Sequence, residues 1–182
     1  MQTDLVIQAS HGDEDAFAEL VGVAIDRLYA VAQRVLRDTG AAEDAVQAAL
    51  VAAWRELPRL RDPERFDAWL YRLLVHACHR ELRDRRIRRP NVLTLVVEPS
   101  RPDETGSIAD RDELEQAFRR LTPDQRTILV LHYYLGYEPT EIAAVLEIPA
   151  GTARSRLHYA QKSLRAALEA DARATAQEGR IA

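Results

Sequence analysis

Apolar residues recur every three or four positions through most of the chain, the period of an amphipathic helix, and no stretch alternates as a half-buried strand would. An all-α fold is predicted. Residues 3–10 read as a short helix ended by His11-Gly12. Asp13, Glu14 and Asp15 bring negative charge to the start of a long helix whose apolar series is Phe17, Leu20, Val21, Ala24, Leu28, Val31, Ala32 and Val35, with Gly40 as its breaker. A third helix is predicted from about Ala42 to Leu57, with Val46, Leu50, Ala53, Trp54 and Leu57 along one side. Asp62-Pro63 joins a capping residue to a proline at the first helical position and opens a fourth helix that reaches about Arg86.

In that fourth helix Phe66, Leu70, Leu73, Leu74 and Ala77 share one face. Arg72, His76, His79, Arg83 and Arg86 line the other, with Val75 among them as an apolar exception. Trp69 lies at the border, where a ring anchors a core more often than it stacks on an unpaired base. Periodicity then stops. Pro90, Pro99, Pro102, Gly106 and Ser107, set among Glu98, Asp103, Glu104 and Asp110, predict a flexible acidic linker over 89–110. Beyond it, residues 111–120 form a helix, Leu121-Thr122-Pro123 a turn, and Asp124 to Leu135 a further helix closed by Gly136. The chain therefore divides into two small helical domains, 1–88 and 111–170, with a tail over 171–182 that is expected to fray.

The second domain contains TEIAAVLEIPAGTARSRLHYAQKSLR, residues 140–165. Thr140 reads as the cap of a short helix with Ile142, Ala143 and Leu146 as its apolar positions, and Ile148-Pro149 as its stop. Ala150-Gly151-Thr152 opens a second helix, buried along Ala153, Leu157, Ala160, Leu164 and Leu168. Two helices joined by a tight turn make a helix-turn-helix. Its outward stripe is Arg154, His158, Gln161 and Arg165, flanked by Ser155 and Lys162, and no carboxylate occurs from Ala150 to Leu168. Hydrogen-bonding side chains near the N-terminus and cations further along suit a recognition helix in the major groove. Arg156 projects beside the apolar face and reads as structural, paired with a nearby acid. A helical adaptor that binds only protein would leave both acid-poor stripes without a reason.

The net charge of -4 conceals segregation, since acids dominate residues 1–50 while the cations gather on the two stripes. Cys78 is the only cysteine, so no intramolecular disulfide can form. His76, Cys78 and His79 point around one helix with no second ligand pair elsewhere, and no metal or cofactor is predicted. The N-terminus lacks a basic, apolar leader and no stretch approaches transmembrane length, so a cytoplasmic protein without membrane insertion is expected. No phosphate-cradling loop, nucleophile elbow or paired histidine-carboxylate spacing is present, and no enzyme is predicted.

The stretches LVIQASHGDEDAFAELV, AEDAVQAALVAAW, RFDAWLYRLLVHAC and LTPDQRTILVLHYYLGYEPTEIAAVLEIPAGTARSRL, in that order, resemble the bacterial extracytoplasmic-function sigma factors over about residues 4–170. The resemblance implies a transcription initiation subunit whose first domain binds the clamp of core RNA polymerase and opens the promoter -10 element, and whose second domain reads the -35 element. Carried onto this chain, Asp44, Val46, Gln47, Leu50 and Trp54 meet the clamp. The loop over 59–67, with Arg59 and Arg61, captures a flipped base, and Trp69, Arg72, His76, His79, Arg83 and Arg86 follow the -10 strand. Arg154, Ser155, His158, Lys162 and His132 meet the -35 element. The implied partners are core RNA polymerase and promoter DNA, with an anti-sigma protein as a candidate third, and the free chain is expected to be a monomer. Departures from the family pattern include Ala48, Ala49 and Leu50 on the clamp helix, His76, Arg80, Glu147 at a usual glycine, and Tyr159 and His132 at frequent arginines. The alternative is a stand-alone helix-turn-helix regulator, which explains the second domain but not the basic stripe of the first.

Overall fold

The computed structural model describes the backbone of residues 2–88 and 108–178, with side chains for 2–85, Ile87 and 113–170. The described residues are helical with no strand, and they fall into two compact units. The predicted all-α, two-unit architecture is observed. Residues 89–107 of the expected linker lie outside the described residues.

In the first unit, α1 (Gln2–Ser10) and α2 (Glu14–Leu36) are followed by α3 (Thr39–Glu56) and α4 (Phe66–Arg88). Asp13 caps α2, its carboxylate accepting from the Ala16 N–H at 3.0 Å. Gly40 does not end this helix. Arg37 does, by taking a left-handed conformation at φ 56°, and Asp38 then caps α3 by accepting from the Ala41 N–H at 2.8 Å. Gly40 is left in the first turn of α3. Asp38 also receives both guanidinium nitrogens of Arg85 on α4 at 2.8 Å, so one carboxylate starts α3 and ties it to α4.

The buried face of α3 keeps Val46, Ala53 and Leu57 of the predicted side but not Leu50 or Trp54. Ala41, Ala42, Ala45, Val46, Ala49 and Ala53 are buried, whereas Leu50 is half-buried and Trp54 is 37% exposed. Alanine lets α3 approach α2 and α4 closely, and the large apolar residues are pushed to its rim. α4 is buried over more than one face: Val75, predicted among polar positions, is buried with Tyr71, Leu74 and Cys78. Two short 3-10 turns, Leu57–Arg59 and Pro63–Arg65, lead into α4, the second capped by Asp62.

After the first four helices come α5 (Ile108–Arg120), α6 (Pro123–Leu129), a π turn (Val130–Tyr134), α7 (Pro139–Leu146) and α8 (Ala150–Glu178), and the second unit holds these except for Ala144–Glu147. α5 starts three positions earlier than 111, and α8 continues past 170, where the sequence pattern fades. Thr122 and Gln125 form a reciprocal capping box around Pro123, and the Gln125 amide donates to Ser163 Oγ at 2.9 Å, fastening α6 to α8. The π turn ends where the Leu135 N–H bonds the Val130 carbonyl, and Gly136 takes φ 75°. Thr140 is not the cap of α7. That place belongs to Glu138, whose N–H donates to the Glu141 carboxylate at 2.8 Å, with Pro139 following it.

α7 ends on Glu147 at φ 54°, with the Ile148 N–H reaching back to the Ala143 carbonyl at 3.0 Å. A β-carbon in this conformation crowds the following carbonyl. Glu147→Gly should therefore be about 1 kcal/mol more stable than Glu147→Ala, as both lose the carboxylate but only glycine relieves the backbone. Denaturant unfolding followed by circular dichroism compares the two. Equal midpoints would show that the turn is unstrained.

Candidate functional site

A groove of about 830 Å³ lies between α2 and α3 in the first unit. Phe17, Ile25 and Tyr29 line it from α2, and Val46, Leu50 and Trp54 from α3. The Phe17 and Trp54 rings meet at 4.9 Å with planes tilted by 59°, closing one end. Val46 forms the buried floor, and Gln47 lies exposed on the rim with Asp26 and Glu43. Asp44 is exposed on the same helix but is not among the groove-lining residues. The structure thus brings together four of the five residues expected to meet the clamp. It adds four from α2, and Phe17 had been assigned to the core because it fits the apolar series. Ile25 falls off that series, which was the available signal.

Arg59 and Arg61 are exposed on the loop before α4. α1 packs against this loop, and the Gln2 amide donates to Asp67 at 2.9 Å. Trp69 is half-buried, with its ring 5.9 Å from that of Phe66. His76 and Arg83 are exposed and Arg72 is half-buried, but His79 does not stand out on the stripe. It is half-buried, because the apolar arc of α4 extends to Val75 and Cys78 on its side of the helix. The side chain of Arg86 lies outside the described residues.

Burial pushes the Cys78 thiol up from 9.0 to about 12. The native state then holds a proton that the unfolded chain releases near pH 9, so this contribution to stability is complete below pH 9 and is lost as pH rises towards 12. A maleimide should modify Cys78 slowly at pH 8 in the native protein and rapidly in denaturant. Rapid native labelling would contradict the burial.

On α8, Ala153, Leu157, Ala160 and Ala167 are buried, and Arg154, Ser155, His158, Lys162 and Arg165 are exposed. The Ser155 hydroxyl donates to the Thr152 carbonyl at 3.0 Å. Gln161 is turned aside, its amide donating to Tyr133 Oη at 2.9 Å. His132 is half-buried, with Nδ1 2.8 Å from the Tyr137 carbonyl and its ring edge-on to Tyr133. Arg156 is exposed and no acid pairs with it among the described residues, so the expected structural pairing is not formed. Exposed cations on a helical stretch without acids, from Ala150 to Leu168, suit a polyanion.

Residues 20–88 match the Sigma-70 region 2 family and residues 111–164 the Sigma-70 region 4 family. The chain is 33% identical to RNA polymerase sigma-E factor of Streptomyces avermitilis over 174 residues, covering 94% of this chain and 97% of that protein. The chain belongs to the extracytoplasmic-function sigma factors. ECF RNA polymerase sigma factor SigL of Mycobacterium tuberculosis is 34% identical over 148 residues, covering 78% of this chain and 82% of that protein. Among solved structures, the sigma factor RpoE in complex with the anti-sigma factor NepR from Bartonella quintana matches with a TM-score of 0.72 at 25% identity, covering 85% of this chain and 98% of that one. CnrH, solved in complex with the cytosolic domain of CnrY, matches with a TM-score of 0.68 at 28% identity, covering 93% of this chain and 98% of that one.

This sigma factor is therefore a regulatory subunit that directs RNA polymerase to promoters. The region 2 match spans most of α2 and all of α3 and α4, so the α4 stripe and every groove residue but Phe17 fall within it. The region 4 match spans α6, α7 and the exposed cations of α8 through Lys162. No helix among the described residues is long and apolar enough to cross a membrane.

Proposed function

We propose that residues 1–88 of this sigma factor grip core RNA polymerase through the α2–α3 groove and hold the melted -10 strand along the 59–67 loop and the cationic face of α4. Residues 111–170 read the -35 element, with α8 in the major groove. The observation that carries this reading is the pairing, on one small unit, of an apolar groove suited to protein with a separate cationic face suited to nucleic acid. A stand-alone regulator needs no such groove. Asp44 and Gln47 extend the polymerase surface beyond the groove, and His132 supports the -35 reader from its flank. The likeness to a sigma factor bound to its anti-sigma factor supports an anti-sigma protein as a regulator here too, and action on polymerase places the protein in the cytoplasm.

The test is co-purification with core polymerase followed by run-off transcription. In that system Arg154→Ala should weaken upstream-element binding by about 1 to 3 kcal/mol and relax preference at one base pair, whereas Lys162→Ala should weaken all sequences alike and flatten the salt dependence. Arg59 and Arg61 changed together to alanine should leave closed complexes intact but lower permanganate reactivity of -10 thymines. Should Arg154→Ala and Lys162→Ala both bind as the parent does, α8 is not the reading element.

A further inference from the structure

Tyr159 is the aromatic side chain on α8 that nothing in the fold uses. It is 64% exposed, and its hydroxyl has no hydrogen-bond partner among the described residues. Tyr133, by contrast, accepts from Gln161. The Tyr159 ring is not loose: the His158 ring meets it edge-on at 5.7 Å and 68°. Ser155 lies one turn before it and Lys162 one turn after it, both exposed on the acid-free surface. An exposed, braced ring in the middle of such a surface costs apolar exposure that the unit does not need for packing.

The chemistry of the major groove limits what this ring can meet. Thymine alone presents an apolar group there, its 5-methyl, while guanine presents two acceptors that an aromatic face cannot satisfy. Resting on the proposed reading of the -35 element by α8, we infer that Tyr159 is a specificity-determining residue that selects thymine through its methyl group. The ring edge covers the methyl, His158 fixes the ring, and the phenol tip extends towards the backbone, where an O–H can donate to a phosphate.

The experiment uses holoenzyme assembled with core RNA polymerase, which first selects its upstream element from duplexes randomised at that site. Each selected thymine is then replaced by uracil, which lacks only the methyl group. At one or two positions uracil should cost the parent about fourfold in affinity, the value of one buried methyl. Tyr159→Phe should keep that penalty and Tyr159→Ala should abolish it. Repeating the selection with Tyr159→Arg should move the preference at the same position from thymine to guanine. A penalty that survives Tyr159→Ala, or no penalty at any thymine, overturns the inference. Arg154→Ala separates the two levels. If it weakens upstream binding while no uracil penalty depends on Tyr159, only this inference falls; if it has no effect, the reading of α8 falls with it.

Discussion

Trp54→Ala should lower the affinity of the protein for core RNA polymerase by about thirtyfold or more, equivalent to ~2 kcal/mol. A partly exposed tryptophan on an apolar groove is the kind of residue that dominates a protein interface, and Trp54 meets Phe17 there while remaining 37% exposed. Its exposure makes it a weak contributor to the core, so circular dichroism and thermal unfolding should change little. Trp54→Phe should recover part of the affinity, because a smaller ring still faces Phe17. Binding unchanged in Trp54→Ala, with the fold intact, would move the polymerase contact off this groove.

The largest stability effect is expected at Leu74, which is fully buried at the middle of α4. Leu74→Ala removes methyl groups and leaves a space that the alanine seam beside it cannot collapse to fill, at a cost of about 2 to 5 kcal/mol. That is a large part of what a domain of this size possesses. Both tryptophans, Trp54 and Trp69, belong to the first unit, so their fluorescence reports that unit alone. The fluorescence midpoint should fall while the part of the circular dichroism signal from the second unit unfolds as before. A loss below about 1 kcal/mol would mean that α4 is not held as tightly as its burial indicates.

Much of this was legible in the sequence, because helical periodicity and acidic or threonine caps are local signals. Asp13, Asp62 and the turn around Pro123 announced helix starts correctly. The errors have a common origin in tertiary context. Arg37 and Glu147 occupy left-handed turns where glycine would be the readable sign, so Gly40 drew attention as a breaker instead. On the predicted side of α3, Val46, Ala53 and Leu57 are buried, but Leu50 and Trp54 are not, and four further alanines fill the close packing instead. His79 and Val75 were placed by phase on a two-faced helix, but α4 is buried around more than half of its circumference. The groove could not be read at all from one helix, since Phe17, Ile25, Asp26 and Tyr29 of its lining come from α2. On α8, Arg156 was placed beside the apolar face and Tyr159 was left off the outward stripe, yet both are exposed.

The alanine seam behind α3 also bears on how such a protein can change over generations. Ala41, Ala42, Ala45, Ala49 and Ala53 have no rotamers to adjust, and enlarging any of them would force neighbouring backbones apart at about 1 to 3 kcal/mol. Drift on that side is closed. On the opposite side Asp44, Gln47, Leu50 and Val51 can be exchanged without moving the helix, because none of them sets its distance from α2 or α4. The rod stays still while its outer surface varies, so single substitutions there can change the chemistry of that surface and leave the architecture untouched.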